Sequence, residues 1–151
     1  MTFYRKGNTM IYTDATKKAL KLCFEAHKDQ VDKSGMPYIF HPFHLAEQME
    51  TEETVIAALL HDVVEDTEYT FCDLEEMGFS ACVIDALKLL THDPAVDYME
   101  YVAAIKKSPI AKAVKLADLR HNSDLSRLDE INGDVLSRRE KYLSAIELLE
   151  G

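Results

Sequence analysis

The chain has few of the residues that interrupt or cross-link a fold. Its 151 residues include five glycines, four prolines and three cysteines. The glycines and prolines fall at the boundaries of apolar segments, and no internal repeat, low-complexity tract or linker divides the sequence. The length suits one domain with its own hydrophobic core. We therefore expect a single domain over residues 1–151, with its core motifs in 15–128 and a closing helix over 134–150.

The three cysteines lack the spacing of a zinc site or a disulfide framework. Cys23, Cys72 and Cys82 are an odd number, they form no CxxC pair, and each is flanked by an apolar helical pattern. Metal knuckles and small disulfide-rich folds need paired cysteines. The sequence therefore predicts reduced, mostly buried thiols with no disulfide, no structural zinc and no catalytic role.

Long apolar runs and excess positive charge are also missing. No run approaches the roughly 18 apolar residues that a membrane-spanning helix needs, and residues 1–7 lack the apolar core of a signal peptide. The formal net charge is −10, whereas nucleic-acid backbones are bound by basic surfaces. We therefore expect a cytoplasmic protein without a membrane or nucleic-acid polymer as its partner. A small phosphorylated ligand stays compatible with this charge, because a bound divalent cation adds positive charge locally.

Apolar residues recur at helical spacing, and the period-two alternation of strands is absent. Residues that favour helix starts precede these segments, among them Thr13, Thr51, Ser80 and Pro109. The pattern predicts an all-α domain of about eight helices with short connections, beginning near residues 13, 42, 51, 70, 80, 97, 109 and 134. The helix that starts after Thr51 is predicted to continue through residue 66.

Four polar side chains lie at the end of that otherwise apolar helix: His61, Asp62, Glu65 and Asp66. In a continuous helix His61 and Glu65 share one face, as do Asp62 and Asp66. A surface helix with a paired imidazole also explains a lone His-Asp dipeptide. Acidic residues at a helix C-terminus oppose the helix dipole, however, and buried charge is costly unless it is paired or bound to metal. The segment therefore predicts a functional site.

Two residues elsewhere complete a set of metal ligands. His41 stands before Pro42 at a predicted helix start, and Asp118 interrupts an apolar helix. Alternatives are a backbone hydrogen bond for His41 and an ion pair with Lys115 or Arg120 for Asp118. Two imidazoles and two carboxylates suit manganese, iron or zinc. Such a site leaves positions open for water and a substrate oxygen, as hydrolysis requires.

These residues resemble the H…HD…D pattern of the HD-domain metal-dependent phosphohydrolases. Three segments carry the likeness: SGMPYIFHP at 34–42, AALLHDVVEDT at 57–67 and KLADLRHN at 115–122. They are similar to the hydrolase domain of the RelA/SpoT group, which includes small stand-alone alarmone hydrolases. The likeness covers most of residues 15–128, and the HDxxEDT element is typical of that branch.

The resemblance implies an all-α fold, one bound Mn²⁺ and removal of the 3′-pyrophosphate from (p)ppGpp, with release of GDP or GTP. It implies that the metal ligands are His41, His61, Asp62 and Asp118. Glu65 and Asp66 would orient or deprotonate the attacking water. The nucleotide would be contacted by Lys33, Ser34 and Asn122.

That chemistry also suits the residues themselves. Phosphoester hydrolysis needs a nucleophile at neutral pH and neutralisation of the charge that builds on phosphoryl oxygens, and a divalent cation favours both. A nearby carboxylate accepts the proton of the water if it lies within hydrogen-bond reach. Lys112, Lys115 and Arg120 are candidates either for phosphate contact or for ordinary ion pairs. His44 and His121 lie near the predicted site. Each is a candidate either for phosphate contact or for packing around the site.

Two departures from the family pattern concern the substrate. The family usually carries an arginine that helps to hold the base where this chain has Asp32, and Leu119 and Arg120 appear in the reverse of the usual order. Another nucleotide or small phosphoester is therefore an alternative substrate. A non-catalytic nucleotide-binding module is a third hypothesis, but retention of Glu65 and Asp66 with all four metal ligands favours an enzyme.

Overall fold

The computed structural model describes residues 9–151, which form an all-helical fold. The helices are α1 Asp14–His27, α2 Phe40–Glu47, α3 Glu52–Leu60, α4 Val63–Asp66, α5 Phe71–Glu76, α6 Ala81–Leu90, α7 Tyr98–Ile105, α8 Pro109–Asn122 and α9 Gly133–Glu150, with a 3₁₀ helix at Leu125–Arg127 before α9. Within this part of the chain the only β pairing is an isolated bridge between Val31 and Pro37. The predicted all-α class is confirmed.

Local side-chain caps account for several helix starts. Thr51 precedes α3, its hydroxyl accepts a hydrogen bond from the amide of Thr54, and the Thr54 hydroxyl in turn accepts one from the Thr51 amide. Thr13 and Thr70 form the same reciprocal caps before α1 and α5. Each cap satisfies amides that a helix end otherwise leaves unpaired. The starts predicted at Thr13, Thr51 and Pro109 are confirmed.

Helix α3 is the central helix of the fold. It packs against α1, α2, α6 and α8, and residues 55–60 are each at most 5% exposed. A helix that is apolar all round is buried on every side. The chain that follows α3 therefore emerges in the interior of the domain, which is where His61 and Asp62 lie.

The prediction of one continuous helix from Thr51 through residue 66 is wrong. Helix α3 ends at Leu60, His61 and Asp62 form a turn, and α4 is a separate single turn. At Asp62 the backbone has φ −107° and ψ 1°, outside the α-helical region. The shared faces expected from helical spacing therefore do not hold across the turn. Because of this break, residues 9–151 contain nine α-helices rather than the eight predicted.

The prediction of mostly buried thiols is also wrong. Cys23 is buried in α1, but Cys72 and Cys82 are exposed, and all three are free. Cys72 and Cys82 stand in the first turns of α5 and α6, whose buried faces are formed by other residues. An apolar flank does not show which face of a helix a residue occupies. Burial raises the pKa of the Cys23 thiol to about 12, which keeps it protonated.

Within residues 9–151 no helix is both long enough and apolar enough to span a membrane. The expectation for residues 1–7 lies outside the described part of the chain. Helix α9 packs on α7 and α8, and its own residues Ala145 and Leu149 are buried. This packing brings polar residues of α9 to a cavity beside α8.

Candidate metal centre

The structure brings the four predicted metal-ligating residues together from three separate regions. His41 comes from the first turn of α2, His61 and Asp62 from the turn after α3, and Asp118 from α8. His41 Nε2 lies 2.9 Å from Asp118 Oδ1, and His61 Nε2 lies 3.1 Å from Asp62 Oδ2 and 3.5 Å from Asp118 Oδ1. His41, His61 and Asp62 offer ligand atoms within 4.8 Å of one another. The centre is largely buried.

The hydrogen bonding of His61 prepares it to bind a cation. Its Nδ1 lies 2.7 Å from the carbonyl oxygen of Ala58, and since a carbonyl only accepts, Nδ1 carries the proton. The neutral ring then has a lone pair on Nε2. Within residues 9–151 this buried nitrogen has no hydrogen-bond partner, although two carboxylates lie close to it. A lone pair facing carboxylate oxygens is repelled unless a cation lies between them.

The charges around His61 point the same way. Burial lowers the pKa of His61, but the carboxylates of Asp62 and Asp118 outweigh it and raise the pKa well above its ordinary value. A pocket that favours positive charge on an imidazole also favours a metal cation in its place, because metal binding displaces the proton. The mixed nitrogen and oxygen ligand set therefore fits a divalent metal ion.

Asp118 divides its two oxygens between the centre and a lysine. Oδ1 faces His41 and also accepts a hydrogen bond from the Asn122 amide at 3.1 Å. Oδ2 accepts one from Lys115 Nζ at 3.1 Å. Burial raises the pKa of Asp118, but Lys115, His41 and His61 lower it by more, so the pKa lies well below its ordinary value. Asp118 is thus both at the centre and paired with Lys115.

Tyr38 is a site residue that sequence reasoning missed. Its hydroxyl donates a hydrogen bond to Asp62 Oδ2, and its side chain lines the same cavity as the centre. Burial and the Asp62 carboxylate raise the pKa of Tyr38, so the hydroxyl keeps its proton and remains a donor. Its position three residues before His41, on the loop that leads into α2, was the one available indication.

Glu65 and Asp66 lie beside Asp62 at the edge of the centre. The three carboxylates offer oxygens within 4.8 Å of one another, and all three residues line the cavity. Glu65 Oε1 accepts a hydrogen bond from the His92 amide at 2.9 Å. Partial burial, followed by the charges of Asp62 and Glu65, raises the pKa of Asp66 to about 6. A carboxyl group with such a pKa exchanges protons readily near neutral pH.

The centre opens into a cavity of about 540 Å³. Acidic and imidazole groups of the centre form part of its lining. Basic side chains form another part: Lys33, Lys115, Arg127, Arg138 and Arg139. Asn122 also lines it. The sequence did not indicate the three arginines, because charged residues on a terminal helix or loop are typical of a solvated surface.

Not all predicted substrate contacts reach this cavity. Ser34 lines a neighbouring cavity with Lys33 and Arg138, and its hydroxyl donates to the carbonyl of Arg127 at 3.3 Å. Arg120 instead pairs with Glu150 at the surface. The structure thus brings Lys33 and Asn122 to the cavity and leaves Ser34 at its margin.

Asp32 closes the turn that carries Lys33 and Ser34. Its Oδ1 accepts hydrogen bonds from the amides of Ser34 and Met36, at 2.8 and 3.0 Å. Its Oδ2 lies 3.9 Å from Arg127 Nη2. The loop also needs Gly35, whose φ of +81° is unfavourable for residues with a Cβ. Asp32 therefore shapes this loop and faces a guanidinium group from the 3₁₀ helix.

The fold and the centre define a class of protein. A family model described as HD domain matches residues 19–126, a range that contains the four predicted metal-ligating residues. The chain therefore belongs to the HD-domain family, and the resemblance inferred from its motifs is confirmed.

Relatives within that family carry more particular names. The chain is 31% identical over 142 residues to the guanosine-3′,5′-bis(diphosphate) 3′-pyrophosphohydrolase of Aquifex aeolicus, a match that covers 86% of this chain and 19% of the relative. It is 35% identical over 121 residues to the bifunctional (p)ppGpp synthase/hydrolase SpoT of Escherichia coli, covering 70% of this chain and 17% of that protein. The chain thus spans less than a fifth of the length of either relative.

A solved structure resembles nearly the whole fold. It superposes with a TM-score of 0.77 at 25% sequence identity, covering 95% of this chain and 89% of the other. That structure is described as a metazoan ortholog of SpoT that hydrolyses ppGpp and plays a role in starvation responses.

Proposed function

We propose that this protein is a metal-dependent phosphohydrolase that removes the 3′-pyrophosphate of (p)ppGpp and releases GDP or GTP. The observation that carries the proposal is the His41, His61, Asp62 and Asp118 centre, which opens into a cavity lined by three further acids and several basic residues. The similarity to relatives named for this reaction supports the same substrate.

The proposed metal ion is Mn²⁺, held by His41, His61, Asp62 and Asp118. Two imidazole nitrogens and two carboxylate groups match its preference for nitrogen and oxygen ligands. When bound, a divalent cation lowers the pKa of water and neutralises charge on phosphoryl oxygens. Tyr38 and Lys115 would hold the two carboxylates in place, since each donates a hydrogen bond to one of them.

Glu65 and Asp66 are the proposed groups that orient and deprotonate the attacking water. Asp66 is suited to accept a proton, because its pKa is raised to about 6. Glu65 is suited to orientation, because the His92 amide holds one of its oxygens. A positioned general base of this kind accelerates hydrolysis by about 10²–10⁴-fold.

The basic residues of the cavity are the proposed phosphate contacts. Lys33, Arg127, Arg138 and Arg139 converge on one cavity in a chain whose net charge is −10, and a ligand with several phosphate groups complements them. Asn122 donates to Asp118 through its side-chain nitrogen, and its side-chain oxygen, which has no hydrogen bond within residues 9–151, would accept one from a ribose hydroxyl. To contact the nucleotide, the Ser34 hydroxyl would have to give up its hydrogen bond to the Arg127 carbonyl.

One observation favours a second candidate function. Asp32 places a carboxylate in the lining of the cavity, and its pairing distance of 3.9 Å to Arg127 offsets that charge only in part. A carboxylate there repels a polyphosphate and changes how a base is held. The second candidate is hydrolysis of another nucleotide or small phosphoester by the same centre.

The decisive experiment measures pyrophosphate release from ppGpp with added Mn²⁺, with and without EDTA. We expect turnover that EDTA abolishes, and a loss of at least about 100-fold in Asp66→Asn, which removes the proposed proton acceptor. Glu68→Gln is the matched control, because Glu68 is an exposed acid of the same segment that does not line the cavity within residues 9–151.

Other results would contradict the proposal in distinct ways. Faster turnover of another phosphoester in a substrate panel would favour the second candidate. Metal binding without turnover of any phosphorylated substrate would favour a non-catalytic nucleotide-binding module.

A further inference from the structure

His41 makes a second close contact, on the side of its ring that faces away from the metal centre. Its Nδ1 lies 2.7 Å from Nδ1 of His121, with the ring planes 13° apart and the centroids 4.9 Å apart. Atoms of stacked rings are separated by about 3.5 Å, so a 2.7 Å contact between ring nitrogens excludes stacking. The two imidazoles therefore lie edge to edge and share a hydrogen bond nearly in the plane of both rings.

Such a contact between two ring nitrogens needs one proton. When Nε2 of a neutral His41 directs its lone pair to a metal ion, the ring proton is on Nδ1. His121 must then accept that proton in a hydrogen bond through its own Nδ1, which requires a neutral His121 with its proton on Nε2.

The two histidines of the centre are thus held by different kinds of acceptor. His61 donates from Nδ1 to the main-chain carbonyl of Ala58, whereas His41 has the side chain of His121 as its partner. A side-chain acceptor can be removed by substitution, and a carbonyl cannot. Within residues 9–151 the lining of the main cavity does not include His121, so contact with a cavity-bound substrate does not explain its position.

We propose that His121 is a positioning residue for the metal centre, which accepts the Nδ1 proton of His41 and thereby directs the Nε2 lone pair of His41 to the cation. This inference rests on the metal centre of the proposed function, but it does not depend on the substrate. Partners of this kind change metal affinity by about 10–100-fold in other metal sites.

The test compares Mn²⁺ affinity among metal-stripped variants by isothermal titration calorimetry. We expect His121→Leu to bind Mn²⁺ about 10–100-fold more weakly. His121→Gln restores an acceptor oxygen and should recover most of that loss. The matched control is His44→Leu, because the His44 ring packs on His121 at 4.4 Å between centroids but is not a hydrogen-bond partner of His41 in the described residues.

A spectroscopic measurement separates a change of tautomer from a loss of packing. With diamagnetic Zn²⁺ as the probe, the ring-nitrogen NMR shifts of His41 in the wild type should show the proton on Nδ1. In His121→Leu the same shifts should change, while the circular dichroism of the folded protein stays the same.

Two results would overturn the inference. One is unchanged Mn²⁺ affinity in a folded His121→Leu protein, and the other is an equal loss in His44→Leu, which would indicate packing alone. A wild type that binds Mn²⁺ yet hydrolyses no ppGpp would contradict only the proposed substrate, since the calorimetric comparison contains no nucleotide.

Discussion

At the scale of single residues, Asp118 shows how one carboxylate serves two partners. One oxygen faces the imidazoles of the centre and the other accepts from Lys115. From the sequence, metal ligation and an ion pair with Lys115 were alternative roles for Asp118. Because a carboxylate has lone pairs on both oxygens, both roles are compatible. The lysine neutralises the acid without occupying the side that faces the centre.

We expect Lys115→Met to destabilise the metal-free protein by about 3 kcal/mol. The substitution leaves the Asp118 carboxylate buried without its lysine partner. Urea denaturation in EDTA measures the difference in unfolding free energy. Lys112→Met on the same helix is the control, because Lys112 forms no ion pair within the described residues. Equal stability of the two variants would show that the buried pair contributes nothing.

The same difference has an expected pH dependence. The folded protein lowers the pKa of Asp118, so its ionised form contributes stability above the ordinary carboxyl pKa of about 4, and that contribution is lost as the pH falls through the lower folded value. The cost of Lys115→Met should therefore be largest near neutral pH and shrink in strong acid.

At the scale of elements, α3 is defined by its two ends. The Thr51 and Thr54 cap begins it, and the turn at His61 and Asp62 ends it where the centre forms. The cap is ten residues from His61, about 15 Å along a helix. A change at the Thr51 cap should therefore alter the stability of α3 without altering the geometry of the metal centre.

We expect Thr51→Ala to lower the free energy of unfolding by about 1 kcal/mol, because the first-turn amides lose their acceptor. Mn²⁺ affinity should stay unchanged, and Thr51→Ser should retain the stability because serine is also a good cap. Thermal denaturation and calorimetry measure the two quantities. A parallel loss of metal affinity in Thr51→Ala would argue that the whole helix, rather than its end, holds the centre.

At the scale of the whole molecule, the centre exists only when distant segments are packed together. His41 and Asp118 are 77 residues apart, and Tyr38 and Asp62 are 24 apart. A cation that binds this arrangement and not the unfolded chain stabilises the folded state by mass action.

Added Mn²⁺ should therefore raise the melting temperature of the metal-stripped protein. At a free concentration 100 times the dissociation constant the gain is about 2.7 kcal/mol. Asp62→Asn keeps an acceptor for Tyr38 but removes the charge, and it should lose most of this gain. Asp85→Asn, at an exposed position on α6, should retain it. If Mn²⁺ raised the melting temperature of Asp62→Asn as much as that of the wild type, the metal would bind outside this centre.

Local patterns in the sequence were enough to predict the helical class, several helix starts and the residues proposed as metal ligands. Caps such as Thr13 and Thr51 act within four residues of chain, and apolar periodicity is also local. The motifs around His41, His61 and Asp118 identified the family for a similar reason, because each is a short run of neighbouring residues.

The break after Leu60, the exposure of Cys72 and Cys82, and the long-range partners of the centre depend on how the helices pack. Tyr38 and His121 acquire their roles through contacts with Asp62 in the turn after α3 and with the ring of His41, 24 and 80 residues away along the chain. The arginines of α9 reach the cavity because that helix packs on α8. Charge, burial and hydrogen bonding at the centre depend on distances across the fold, which a linear pattern does not contain.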